Sequence, residues 1–239
     1  HGIDNLSFGY MDRISDYQKQ IKFERNDINN LNEIYKGEAF DFVIHCAAIA
    51  PLPECQINGR NAVCENIGGT ASVVDFCIKN GVQNLIFFSS GAIYEGTRNF
   101  PTPENESIKT KLIYPTTKYL AEKYLESISE SYNLKIVALR LFNLYGPHQD
   151  YFRKQPPLMG YLIKSLLNNE VAQLYSSGEQ RRDYIFIDDL VILIEKLMSY
   201  MSNLEMESYF EALNVGSGIT YSVNEIIRKI EYISGKKML

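Results

Sequence analysis

The chain has 239 residues, 45% of them hydrophobic, with 29 acidic against 24 basic side chains and a net charge of −5. That is enough apolar material to bury one large core, or a larger and a smaller one beside a cleft. There is no basic block and no apolar run of membrane-span length, which argues against nucleic acid and membrane as partners. Four widely spaced cysteines (Cys46, Cys55, Cys64, Cys77) and three scattered histidines (His1, His45, His148) show no metal-binding pattern. The thiols read as reduced, no metal is expected, and with no signal or transit sequence in view the cytoplasm is the expected location.

In chain order, the first residues read as the end of a strand, as if something upstream were absent. Strands are predicted over Phe40–Ala48 ("FDFVIHCAA"), Asn84–Ser90 ("NLIFFSS"), Lys135–Asn143 ("KIVALRLFN") and Asp183–Ile187 ("DYIFI"). The first three have continuous apolar centres rather than alternation, the mark of strands covered on both faces. Between them Asn61–Asn80 places Val63, Ile67, Ala71, Val74 and Ile78 at helical spacing, and Pro115–Tyr132 reads as a second helix. This rhythm predicts a doubly wound α/β fold. After "FNLYGPHQD" the rhythm breaks at the Pro-containing "RKQPPLMG", which leads to a helix over about 161–168, a strand-like "AQLYSS" and the helix "IDDLVILIEKLM". This region predicts a second, smaller lobe.

The segment "YPTTKYLAEKYL" holds two overlapping Tyr-x-x-x-Lys pairs, Tyr114/Lys118 and Tyr119/Lys123. Such a pair arises readily by chance in a chain rich in both residues. At about 100° per residue, Thr117, Leu120, Ala121, Tyr124, Leu125, Ile128 and Tyr132 form the apolar face, and Glu122, Lys123, Glu126 and Glu130 fall opposite. Tyr119 and Lys123 lie on the solvated side, where an ordinary surface pair is the simpler reading. Tyr114 and Lys118 fall at the edge of the apolar face, at a helix start marked by Pro115 in the first helical position. An ammonium one turn away, with the helix N-terminus, favours a phenolate that takes a proton from a sugar hydroxyl as hydride leaves the same carbon. A hydride acceptor, a nicotinamide cofactor, is then implied.

The ordered series "GIDNLS", "NDI", "VIHCAAIA", "ENIGGT", "LIFFSSGAIY", "YPTTK", "LRLFNLYGPHQ", "RRDYIFIDDL" and "NVGSG" resembles the extended short-chain dehydrogenase/reductase family, in particular its NAD-dependent nucleotide-sugar epimerases and dehydratases. The resemblance implies a Rossmann-like NAD-binding domain over 1–147 and, over 148–239, mainly a substrate-binding lobe with elements returning to the main sheet. It implies Asp4 on the adenosine ribose, where an acid favours NAD over NADP, and Asp27 and Ile28 beside the adenine. Ala47 and Ala48 become small residues against the cofactor, and Asn66 the asparagine behind its nicotinamide half. Ser89 joins the cofactor-binding set. Ser90, Tyr114 and Lys118 form the implied catalytic triad, the latter two also contacting NAD and Ser90 also contacting substrate. Asn143 and Arg182 are implied to bind the diphosphate of a nucleotide sugar, with Arg181 as the alternative to Arg182 and Asp183 orienting the neighbouring loop. A homodimer built on paired helices is implied, with the helix of Tyr114 as a candidate.

Two departures narrow this. Where the family's 4,6-dehydratases carry an Asp-Glu pair, this sequence has Gly91 and Ala92, neither of which transfers a proton. A 4-epimerase acting through a transient 4-keto sugar is therefore the expected activity. Other members' chemistry (dehydration, decarboxylation, reduction) and a non-catalytic sugar-nucleotide-binding fragment are the alternatives. The family's Gly-rich phosphate loop is not found ahead of Asp4, and the family continues beyond "NVGSGITYSVNEIIRKIEYISGKKML", so the chain is expected to be truncated at both ends.

Overall fold

The computed structural model describes residues 1–153, 155–174 and 176–239. Its elements in chain order begin with β1 (Gly2–Asp4), β2 (Phe23–Arg25), α1 (Leu31–Ile34), β3 (Phe42–His45), α2 (Leu52–Ile57), α3 (Gly59–Val63), α4 (Gly69–Asn80), β4 (Asn84–Ser90), α5 (Ile113–Ser131) and β5 (Lys135–Leu141). There follow β6 (Asn143–Tyr145), α6 (Leu158–Asn168), β7 (Arg181–Phe186), α7 (Ile187–Ser202), β8 (Tyr209–Val215), β9 (Thr220–Ser222) and α8 (Val223–Ser234). The chain divides into two compact units, His1–Leu141 with Glu195–Asn214, and Phe142–Ile194 with Val215–Leu239.

In the first unit β3, β4, β5 and β8 form a sheet in that order, with β3/β4 and β4/β5 parallel, and β1 pairs with β2 in a separate parallel ribbon. Two of the three continuous apolar runs are covered on both faces as predicted, Leu85, Ile86 and Phe87 of β4 and Ile136 to Leu139 of β5 all being sealed from solvent, whereas in β3 Ile44 is exposed. The core adds Val73, Val74, Phe76 and Cys77 from α4 and Ala121 and Leu125 from α5. In the second unit β6 pairs parallel with β7, and β7 pairs antiparallel with β9. Leu162, Tyr184 and Ile226 centre a smaller cluster there.

Several sequence boundaries move. The helix expected over Asn61–Asn80 is interrupted at Cys64–Gly68, which winds as a π turn between α3 and α4. Such an insertion often marks a functional position. The strand expected over Phe40–Ala48 ends at His45. Residues 172–174 and 176–177 of "AQLYSS" lie outside any strand, and Tyr175 lies outside the described residues. Helix α5 begins at Ile113, so Pro115 is its third residue rather than its first; its missing N–H is still among the four that a helix leaves free. Side chains from elsewhere cap this end: Gln56 Oε1 accepts from the Ile113 N–H at 2.7 Å, and Glu95 Oε1 accepts from the amides of Lys111 and Leu112.

The helical phase of α5 also needs correction. Leu120 and Tyr132, assigned to the apolar face, are 47% and 53% exposed, whereas Glu122, assigned to the solvated face, is 2% exposed. The buried stripe runs through Pro115, Thr117, Lys118, Ala121, Glu122, Leu125 and Ser129. It is turned toward the polar side because the strands beneath supply Ser89 and Arg140 as partners for the Glu122 carboxylate.

Candidate active site

Ser90 closes β4, and the chain turns directly into a 3-10 segment, Gly91–Tyr94, whose Ala92 amide donates to Ser90 Oγ at 3.2 Å. The Tyr114 phenol, in the first turn of α5, lies near enough to Ser90 for that side chain to bear on its titration. One turn on, the buried Lys118 donates from Nζ to the Phe88 carbonyl at 2.7 Å and lies over the Phe87 ring, 4.7 Å from its centroid. The three residues that the sequence grouped are thus brought together. Tyr119 and Lys123 face elsewhere: Lys123 is exposed, pairs with Glu126 at 2.7 Å and rests over the Tyr119 ring.

The electrostatics differ from the sequence expectation. Burial pushes the Tyr114 phenol above its ordinary value, and the Ser90 side chain pulls it partly back. Lys118 is not among the groups that shift it. Burial brings Lys118 itself down to about 8, against the opposing pull of Cys46, Glu122 and Cys55. The Lys118 ammonium is directed to the Phe88 carbonyl.

Asn66, inside the π turn, is fully buried; its Oδ1 accepts from the Ile49 amide at 2.7 Å and its Nδ2 donates to the Ile49 carbonyl and to Thr117 Oγ1, both at 3.0 Å. It fastens the loop after β3 to the turn of α5 between Tyr114 and Lys118. The neighbouring His45 contacts Thr70 Oγ1 at 3.0 Å; Thr70 donates to the Asn66 carbonyl, so His45 Nε2 carries the proton that Thr70 accepts. Burial, with Lys118 nearby, brings His45 down to about 3, which keeps it neutral.

A groove of about 740 Å³ runs along this unit and is lined by Asp4, Asp27, Ile28, Ala47 and Ala48 among others. Asp4, at the end of β1, accepts the Leu6 amide at 2.6 Å, and Asp27 accepts from the Asn29 amide and from the side chains of Asn29 and Asn5. Ile28 packs on Gly69, where an added Cβ would meet its Cδ1 at 2.8 Å. Ser89 does not offer its hydroxyl to the groove, since it is buried and donates to Glu122.

In the second unit, Asn143 Nδ2 donates to the Asp183 carbonyl at 2.7 Å. Arg181 is engaged by Thr220 and by Glu225 at 3.0 Å, whereas Arg182 is exposed and its guanidinium makes no hydrogen bond or ion pair with a described residue. Asp183 holds the 216–219 loop: its carboxylate accepts from the Ser217 amide and hydroxyl and from the Gly218 amide, at 2.7 to 2.8 Å. A Cβ at Gly216 would meet that carboxylate at 2.7 Å, which is why glycine stands there. Sequence reasoning missed Glu122 and Arg140, which form an ion pair at 2.8 Å in the core.

A mostly parallel sheet with a serine at a strand tip, beside a tyrosine one helical turn from a buried lysine, defines the class of the extended short-chain dehydrogenases/reductases. The family model described as "NAD dependent epimerase/dehydratase family" matches residues 1–216, and the chain belongs to that family. The dTDP-4-dehydro-6-deoxyglucose reductase of Escherichia coli is 30% identical over 228 residues, which cover 94% of this chain and 70% of the reductase. The structure of UDP-N-acetylglucosamine 4-epimerase from Methanobrevibacter ruminantium, in complex with UDP-N-acetylmuramic acid, superposes with a TM-score of 0.87 at 30% identity over 98% of this chain and 73% of that one. UDP-glucose 4-epimerase from Brucella ovis in complex with NAD gives 0.87 at 27% identity over 99% and 75%.

Proposed function

We propose that the protein is an NAD-dependent nucleotide-sugar 4-epimerase. The observation that carries this is the grouping of Ser90 and Tyr114, with Lys118 buried one turn away, at a strand tip followed by Gly91 and Ala92. The cluster has a proton acceptor at the reacting hydroxyl but no second acid-base pair for loss of water.

NAD fits the residues of the groove at its adenosine end. Asp4 presents a carboxylate for the ribose hydroxyls, Asp27 an acceptor for the adenine amino group, and Ile28 an apolar wall, while Ala47 and Ala48 admit the backbone close to the ligand. When bound, NAD takes up hydride from C4 of the sugar and gives it back. The chain's own part is to move the C4 hydroxyl proton: Ser90 holds that hydroxyl, and the Tyr114 oxygen accepts its proton and later returns it. Lys118 binds the nicotinamide ribose. Asn66 keeps the loop carrying Ala47 and Ala48 in register with α5. Arg182, whose guanidinium is left available, and Asn143 hold the substrate diphosphate.

The test is to incubate the protein with NAD and a panel of UDP-, CDP-, GDP- and dTDP-sugars and to identify products by NMR. The reading predicts interconversion of C4 epimers with no net consumption of coenzyme; no turnover of any sugar contradicts it. The E. coli relative favours one second reading, reduction of a 4-keto sugar nucleotide, which consumes NADH in step with product.

We also propose a homodimer through the outer face of α5, where Leu120 and Tyr132 are exposed, and a cytoplasmic location, in keeping with four free cysteines. A solution mass of one chain, or recovery of the protein only from a secreted fraction, would count against these two points.

A further inference from the structure

Three consecutive residues of β4 are each tied to a different turn of α5. The Phe88 carbonyl accepts from Lys118, the Ser89 hydroxyl donates to Glu122, and the Ser90 side chain lies beside Tyr114. Positions 114, 118 and 122 are spaced by four and share one helix face. Two of these ties involve residues placed above in the reaction; the third involves none of them. It is anchored from the other side by Arg140 of β5, whose Nε donates to both Glu122 oxygens at 3.1 and 3.2 Å and whose Nη2 donates to Oε2 at 2.8 Å. Arg140 Nη1 in turn donates to the Tyr94 hydroxyl and the Glu104 carbonyl, both at 2.7 Å, and Tyr94 donates to Asn214 at 2.8 Å. The pair therefore grips the strand tip, the segment after it and the helix together.

We propose that Glu122 is a positioning residue that fixes the depth and rotation of α5 against the tip of β4, and so the distance between Tyr114 and Ser90. Stability is a poor reason for an ion pair in the core, since well-packed apolar side chains of the same volume often stabilise as much or more. What the pair adds is directionality: a carboxylate with fixed donors on two adjacent strands permits one helix register, which an apolar contact does not specify.

The inference rests on the proposed function for its kinetic readout alone. In Glu122→Asp the charge is kept and the carboxylate withdrawn by one methylene, so it reaches Ser89 and Arg140 together only if the helix shifts. The expected result is a fall of about 10- to 100-fold in kcat with KM for the nucleotide sugar unchanged. A second readout needs no turnover. In protein carrying 13Cε-labelled lysine, assigned with Lys118→Arg, the Lys118 titration should move downward in Glu122→Asp, as the carboxylate that favours the ammonium withdraws. The other groups that bear on this titration, Cys46, Cys55 and His45, are left as they are. Should Glu122→Asp not fold, Ser89→Ala, which keeps the ion pair and removes one tie, gives the same two readouts with smaller changes. Wild-type titration of Lys118 in a folded variant overturns the proposal. If the wild-type protein turns over no sugar, the functional reading fails while the titration still decides the placement of Glu122.

Discussion

Lys118 keeps an ammonium in a buried place, beneath the Phe88 carbonyl and over the Phe87 ring. Its folded value of about 8 lies below the ordinary 10.5 because burial penalises the charged form. The sign of the linkage follows: stability is fully present above about 10.5 and is lost as pH falls through about 8, so at neutral pH the wild-type chain carries the whole cost. Lys118→Met should therefore be more stable than wild type at pH 7 by about 1–3 kcal/mol, the lost hydrogen bond to Phe88 offsetting part of the gain. The difference should shrink between pH 8 and 10.5. Calorimetry at pH 7, 9 and 10.5 checks this, and a difference that does not change with pH would show that the buried charge is not its source. Loss of activity in a variant more stable than wild type is the ordinary trade at a functional site. Tyr114 shows the same tension, since burial opposes the phenolate that the proposed chemistry uses while Ser90 partly restores it.

The π turn at Cys64–Gly68 lets one asparagine serve three partners on two segments, the Ile49 amide, the Ile49 carbonyl and Thr117. Asn66→Ala leaves the Ile49 groups without these partners, and the expected cost is about 2–4 kcal/mol by urea unfolding; a cost within about 0.5 kcal/mol, ordinary for a surface change, would show that the loop finds other partners. The π turn itself was not legible, because "ENIGGT" continues the helical spacing on both sides and only the tertiary partners of Asn66 reveal the extra residue. Strand β4 was legible to the residue, its apolar run bounded by Asn84 and Ser90. Helix α8 was overlooked although "SVNE" carries a capping-box spacing, and the structure shows both reciprocal bonds of Ser222 and Glu225. On α5 the apolar side chains marked the buried face only approximately. A charged residue counts as solvated in any periodicity argument, and nothing local to "AEKY" shows that Arg140, eighteen residues on, lies opposite Glu122. The Tyr114/Lys118 pair was nonetheless picked correctly for burial, since it lay at the edge of either version of that face.

Over the whole chain, the family match spans residues 1–216, and the relatives described above share 27 to 30% identity across nearly all of this chain and 70 to 75% of their own length. Identity at that level fixes the family and leaves the sugar and the nucleotide open, because reductase and epimerases stand equally near. The net charge of −5 gives no general attraction for an anionic nucleotide sugar, so the proposed hold on its diphosphate rests on local groups such as Arg182, whose neighbour Arg181 is engaged by Thr220 and Glu225. The central claim is that Tyr114, not Tyr119, is the base. It is tested most directly by comparing Tyr114→Phe and Tyr119→Phe in the epimerisation assay. The account predicts that Tyr114→Phe loses about 10²- to 10⁴-fold in kcat while Tyr119→Phe keeps wild-type turnover. Retained turnover in Tyr114→Phe, or a comparable loss in Tyr119→Phe, would contradict it.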